Sequence, residues 1–198
     1  TVVHNGTNLS SFFPLDIQKK ENIFIYAGAI GVANDVGFIL QAARIVGGEW
    51  WIYGDGSQKK SLMQEASALN ENLGYECVKF FNPVPKNQLN DILNRANVGV
   101  SVFANYSVLE ANAANKFYDY LAAGLPVLTN YRGWQAEVIE KYQCGYAAEQ
   151  GDLEDFIYGA KLLAASPVCL NARRAAVENF DRKVLARKAL DILNVFVN

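Results

Sequence analysis

The chain of 198 residues has few of the side chains that carry covalent catalysis. It holds one histidine, His4, in the N-terminal tail, so no Ser-His-Asp or Cys-His triad is expected within the fold. Its three cysteines, Cys77, Cys144 and Cys169, are odd in number and far apart. They suit neither a disulfide framework nor a metal site, and read as small core residues in a reducing compartment. A net charge of −2 gives no basic footprint for duplex nucleic acid. No apolar run reaches the ~18 residues of a membrane span. No charged n-region and apolar h-region open the chain, so we expect a cytoplasmic protein without a secretory signal. Matches to the N-glycosylation pattern at Asn5-Gly6-Thr7, Asn8-Leu9-Ser10 and Asn105-Tyr106-Ser107 are then chance. The chain opens on Thr1, not Met, and we expect further residues before it. Neither G-x-G-x-x-G nor a Walker A pattern occurs, which removes support for the standard dinucleotide and P-loop sites.

What is present is alternation. "NIFIYAG" (22–28) reads as a buried strand ended by glycine, and the helical spacing of Val36, Ile39, Leu40, Ala43 and Val46 follows. Asn34 or Asp35 is placed to cap that helix and Gly47-Gly48 to end it. Further strands are expected at 49–56, ending in a Gly-Asp-Gly turn, and at 77–82, 97–103, 126–130 and 144–149. Helices are expected at about 57–73, 86–96, 112–123 and 134–141. Asp152 should cap a helix over 153–166, and two more are expected near 167–178 and 182–196. This order predicts an α/β, Rossmann-like, doubly wound parallel sheet of about six strands with helices on both faces. No linker or repeat divides it, so residues 1–198 read as one domain with an irregular lead-in over 1–20.

In such sheets ligands sit at the carboxyl ends of the strands, where helix N-termini offer free N–H groups. Three turns are candidates. "AGAIGVAND" carries Gly28 and Gly31 and permits close backbone approach, or is a plain strand-to-helix turn. "YGDGSQ" carries Asp55, a possible ligand contact or a cap for the next helix. "NKFYDYLAAGLPVLTN" (115–130) puts Asn115 and Asp119 four apart and Lys116 and Asp119 three apart, on one helix face. A carboxylate suits a ribose diol and a lysine suits a phosphate; the alternative is an intrahelical Lys–Asp pair worth a few tenths of a kcal/mol.

These segments together resemble the C-terminal, donor-binding half of GT-B glycosyltransferases of family 4, in particular bacterial enzymes of surface-polysaccharide assembly. "HNGTNLSSFFP" is similar to the family's "pNGvd…lF.p", "WIYGDGSQKKSLMQEA" to "vGdGp….L...a", and "NKFYDYLAAGLPVLTN" to "sKlfEYmAaGkPVia.". "FIYAGAIGVANDVGFILQAAR" and "VKFFNPVPKNQLNDILNRANVGVSVF" match further family segments in the same order. The resemblance runs from about His4 to Gly145.

The resemblance implies transfer of a sugar from a nucleotide-diphosphate sugar, UDP- or GDP-linked, with retention, to a glycan or lipid-linked acceptor. The acceptor would be held by an N-terminal half not contained in this sequence, without which the domain should be inactive. Asp119 would take the place of the second glutamate of the family's E-x7-E motif and bind the donor ribose, on a partly open cleft wall. Gly28, Gly31, Asp55, Asn82, Asn115 and Lys116 would complete the nucleotide site, with Asn82 by the base. No residue is assigned as catalytic. No metal or other cofactor is implied, since there is no Asp-x-Asp. Ala111 occupies the first motif position, with Glu110 beside it, and the Arg and Lys that usually follow the first strand are missing. That absence leaves a non-catalytic α/β domain as an alternative, ahead of an NAD-binding one. Trp50, Trp51 and Trp134 are read as packing residues. Arg173-Arg174 and Arg182-Lys183 are read as surface charge, or as facing anionic lipid in a peripheral enzyme.

Overall fold

The computed structural model describes residues 3–18, 20–165 and 170–197. The expectations for Cys169 and the first residues of the helix near 167 lie outside these. Six strands form one parallel sheet: β1 (Ile23–Ala27), β2 (Glu49–Tyr53), β3 (Val78–Phe81), β4 (Val98–Ser101), β5 (Val127–Thr129) and β6 (Gly145–Ala147). Their spatial order is β3-β2-β1-β4-β5-β6, so the winding reverses between β1 and β4. The helices are α1 (Val36–Val46), α2 (Lys59–Leu73), α3 (Lys86–Arg95), α4 (Asn115–Ala122), α5 (Gly133–Tyr142), α6 (Leu153–Ala164), α7 (Leu170–Asn179) and α8 (Arg182–Val197).

The strands are apolar because both faces are covered. Alternate residues leave the pleat in opposite directions. Phe24 and Tyr26 of β1, with Trp50 and Ile52 of β2, enter a core shared with α1, α2 and α6. Ile23 and Ile25 enter the opposite core, shared with α3, α4, α5 and α7. Phe24 stacks on Trp50 at 4.1 Å between ring centroids, and Trp134 packs among His4, Tyr118 and Phe180. Both tryptophans are packing residues, as expected. Cys77 and Cys144 are buried.

Several local expectations are corrected. Neither Asn34 nor Asp35 caps α1 through its side chain; 32–34 form a 3-10 turn and Asp35 takes φ 41°. Asp55 does not cap α2, whose N-cap is Gln58. The helix expected from Asn112 starts at Asn115, after a 3-10 turn over Ser107–Ala111. Asp152 does cap α6, accepting from the Asp155 amide at 3.0 Å.

The lead-in is irregular but firmly held. It has no strand partner along most of its length, so its backbone groups turn to side chains. Asn90 accepts from the Phe13 amide, and Asn94 accepts from the Leu15 amide while donating to the Phe13 carbonyl. Phe12 is buried. Arg173 is not surface charge: its guanidinium donates to the carbonyls of Phe12 and Ala122 at 2.7 Å each and of Leu9 at 3.3 Å. It ties the lead-in to the end of α4. Arg173→Met keeps the bulk and removes these donors from half-buried acceptors. Its unfolding free energy, measured in urea, should drop by about 2 kcal/mol; a drop below about 0.5 kcal/mol would mean solvent replaces the clamp.

Candidate functional site

A cleft of about 400 Å³ opens at the carboxyl ends of β1, β2 and β3, beside the point where the winding reverses. Its walls are the turn after β1, the turn after β2, the Pro83-Val84 turn and the first turns of α3 and α4. Doubly wound sheets place their ligands at this end of the strands. Neither α3 nor α4 has a side-chain N-cap bond. Their first amides are thus not tied up by a capping side chain, and each helix end brings a partial positive charge to the cleft.

Four of the seven residues singled out from the sequence line this cleft: Gly28, Asp55, Asn115 and Asp119. Asn115 is exposed, and its side-chain oxygen accepts from Asn5 at 2.8 Å. The Asp55 carboxylate turns back to its neighbour, accepting from the Gly56 amide at 2.8 Å. Gly31 and Asn82 lie outside the wall. Gly31 takes an ordinary φ of −125° with open space around it, and the Asn82 side chain accepts from Lys59.

Lys116 lies behind the wall rather than on it. Its ammonium stands under the Gly28 turn, where a Cβ on residue 28 would come within 2.8 Å of Lys116 Cε. A side chain at residue 28 would require the lysine to shift. The ammonium lies 4.3 Å from the Tyr26 ring centroid and donates to the Tyr26 hydroxyl at 3.2 Å. That hydroxyl donates to the Ala29 carbonyl at 2.6 Å, which holds the turn. Burial alone pulls the Lys116 pKa down to about 7. Lys116 is thus protonated behind the glycine turn only below about pH 7, and among the described residues no carboxylate forms an ion pair with it.

Asp119 departs from the expected partly open position. It is 4% exposed, inside α4 at the foot of the cleft. Its Oδ1 accepts from the Thr7 hydroxyl at 2.5 Å, and its Oδ2 lies 3.7 Å from Lys86 Nζ. Burial raises its pKa, while the Thr7 bond and the charges of Lys86 and Arg182 oppose the rise. Lys86 is 59% exposed, so its attraction is screened and contributes little to stability.

Sequence reasoning missed Lys86 and Thr7. Lys86 had a signal, a cation opening a helix that follows a strand end. Thr7 had none, because it reaches Asp119 across 112 residues. Glu110, beside the motif position that lacks glutamate, lies in the 3-10 turn with its carbonyl packed against Gly133. Among the described residues no cluster of histidine, cysteine and carboxylate side chains could hold a metal ion. No helix among them is long and apolar enough to cross a membrane.

A search of curated proteins gives no match to this sequence. Solved structures do match. The fold is similar to a glycosyltransferase from Rickettsia africae, with 15% identity and a TM-score of 0.76 over 100% of this chain and 57% of that one. Anabaena HepE, solved with UDP and glucose, matches with 13% identity and a TM-score of 0.77 over 98% of this chain and 57% of that one. A TarM variant from S. aureus, in complex with UDP, fondaparinux and alpha-GlcNAc-glycerol, matches with 16% identity and a TM-score of 0.71 over 98% and 38%. The chain thus spans about half the length, or less, of these structures. The family model described as "Glycosyl transferases group 1" matches residues 21–166, covering the whole six-stranded sheet. The chain belongs to that family, and its fold is that of a C-terminal GT-B domain.

Proposed function

We propose that the cleft binds the nucleotide of a nucleoside-diphosphate sugar, and that the chain is the donor-binding part of a retaining glycosyltransferase. The acceptor, a glycan or a lipid-linked saccharide, would be held by a second half, without which the chain transfers nothing. The observation that carries this reading is Asp119, a buried carboxylate with one oxygen facing a cleft that also receives two uncapped helix N-termini. A carboxylate matches a ribose diol, and helix N-termini match a diphosphate. Lys116 would add its charge across the Gly28 turn, in place of a basic pair after β1. Stabilising the leaving diphosphate in this way is electrostatic work that needs no covalent enzyme intermediate. We expect no metal requirement, because the sequence has no Asp-x-Asp. We place the enzyme in the cytoplasm, with peripheral attachment to the inner face of the membrane. HepE was solved with UDP-glucose, which supports UDP as the first nucleotide to try.

The test is a titration with UDP, GDP, ADP and NAD, followed by amide shifts. One nucleoside diphosphate should be preferred, with shifts at Gly28, Asn115 and Asp119. Anion binding favours the protonated lysine, so affinity should fall as pH rises through about 7. Preference for NAD would sink the reading. No shifts at all would favour a non-catalytic domain, the alternative that the missing basic pair after β1 supports.

A further inference from the structure

Thr7 is 1% exposed, and its hydroxyl proton is committed to a single acceptor, Asp119 Oδ1. The residue is itself held rigidly. Its amide donates to the Phe180 carbonyl and its carbonyl accepts from the Arg182 amide, both at 3.0 Å. The Arg182 guanidinium holds the adjacent Gly6 carbonyl. Asn5, two residues earlier, bonds Asn115 at the mouth of the same cleft. The short stretch from Asn5 to Thr7 therefore bridges the α7–α8 corner and the first turns of α4.

An aspartate has little torsional preference about its last bond, so by itself it would offer either oxygen at a range of angles. Fixing one oxygen fixes the other. With Oδ1 held by Thr7, Oδ2 is the oxygen left toward Lys86 and the cleft. Resting on the donor-site reading above, we propose that Thr7 is a positioning residue for ribose recognition, locking the Asp119 carboxylate so that Oδ2 is presented to the sugar hydroxyls. Thr7 touches no ligand and acts through Asp119. The lead-in is then part of the binding machinery as well as a connection.

The experiment compares wild type, Thr7→Val and Thr7→Ser by calorimetry, using UDP or GDP, whichever binds, and its 2′,3′-dideoxy counterpart. Valine keeps the shape and removes the donor; serine keeps the donor. Thr7→Val should lose about tenfold affinity for the ribonucleotide, the weight of one hydrogen bond to a charged group. It should leave the dideoxy affinity unchanged, and Thr7→Ser should restore ribose preference. In parallel, a carbon-13 titration of the Asp119 carboxyl should move to higher pH in Thr7→Val and not in Thr7→Ser, because the Thr7 bond favours the ionised form. A merely structural hydroxyl would weaken both ligands alike or neither, and either result overturns the proposal, as does an unmoved carboxyl titration. Thr7→Ala serves the same comparison if the valine variant misfolds. Failure of wild type to bind any nucleoside diphosphate would instead remove the donor-site reading and the ribose role with it.

Discussion

Asp119→Asn is expected to weaken nucleoside-diphosphate binding roughly a hundredfold, the loss of two hydrogen bonds to a charged group, while raising the melting temperature. The two effects share a cause. The carboxylate is 4% exposed, and burial raises its pKa above the ordinary carboxylate value. The folded chain therefore holds the proton more tightly than the unfolded one. Between the two pKa values stability falls as pH rises, and above both the ionised group carries its full desolvation cost. Asparagine removes that cost, keeps an acceptor for Thr7 and gives up the attractions of Lys86, which is screened, and of Arg182. It also turns an acceptor-only group into one that presents a donor, so the ribose diol loses its partner. Thermal unfolding and calorimetry on one preparation decide the matter. A variant that binds normally, or one that melts earlier than wild type, would make Asp119 a structural residue.

Gly54→Ala is expected to be the most damaging single substitution to the fold around the site, at about 3 kcal/mol or more. Gly54 has φ 155°, and a Cβ there would stand 1.9 Å from the Gly28 carbonyl oxygen. The collision is with backbone, so no rotamer change relieves it. The backbone on both sides is held, by the Gly28 amide on the Tyr53 carbonyl and the Gly54 amide on the Phe81 carbonyl. To make room, the two turns that wall the cleft would have to part. Gly31→Ala is the control. Its added methyl meets nothing nearer than the Asn34 side chain at 4.0 Å, and its φ is ordinary, so it should cost under about 0.5 kcal/mol. Urea unfolding of both proteins makes the comparison, and equal losses would show that close packing of the two turns does not limit residue 54.

The contrast between these two glycines shows how much of the site is visible in one dimension. Gly31 attracted notice because glycine after a strand is a general signal of a turn. The need for glycine at 54 arises from the neighbouring strand's turn, and nothing in "YGDGSQ" says that Gly54 meets the Gly28 carbonyl or Gly56 the Ile30 backbone. Lys116 shows the same limit. Its type suggested an anion partner, and its place on α4 followed from spacing. That it lies behind Gly28 and against Tyr26 depends on how α4 crosses β1. Adjacent arginines usually carry solvated charge, but the acceptors of Arg173 come from segments more than 50 residues away.

The sequence by itself determined the order of strands and helices, the parallel sheet that this order requires, and the family likeness carried by short motifs in sequence. Those features rest on local periodicity and turn chemistry, which neighbouring residues set. Only the tertiary structure decided that Asp119 is buried, that Thr7 holds one of its oxygens, that Lys86 faces the other, and that the lead-in is bound into the domain. These rest on contacts between residues distant in the chain, where burial and hydrogen-bond direction depend on packing and leave no periodic trace.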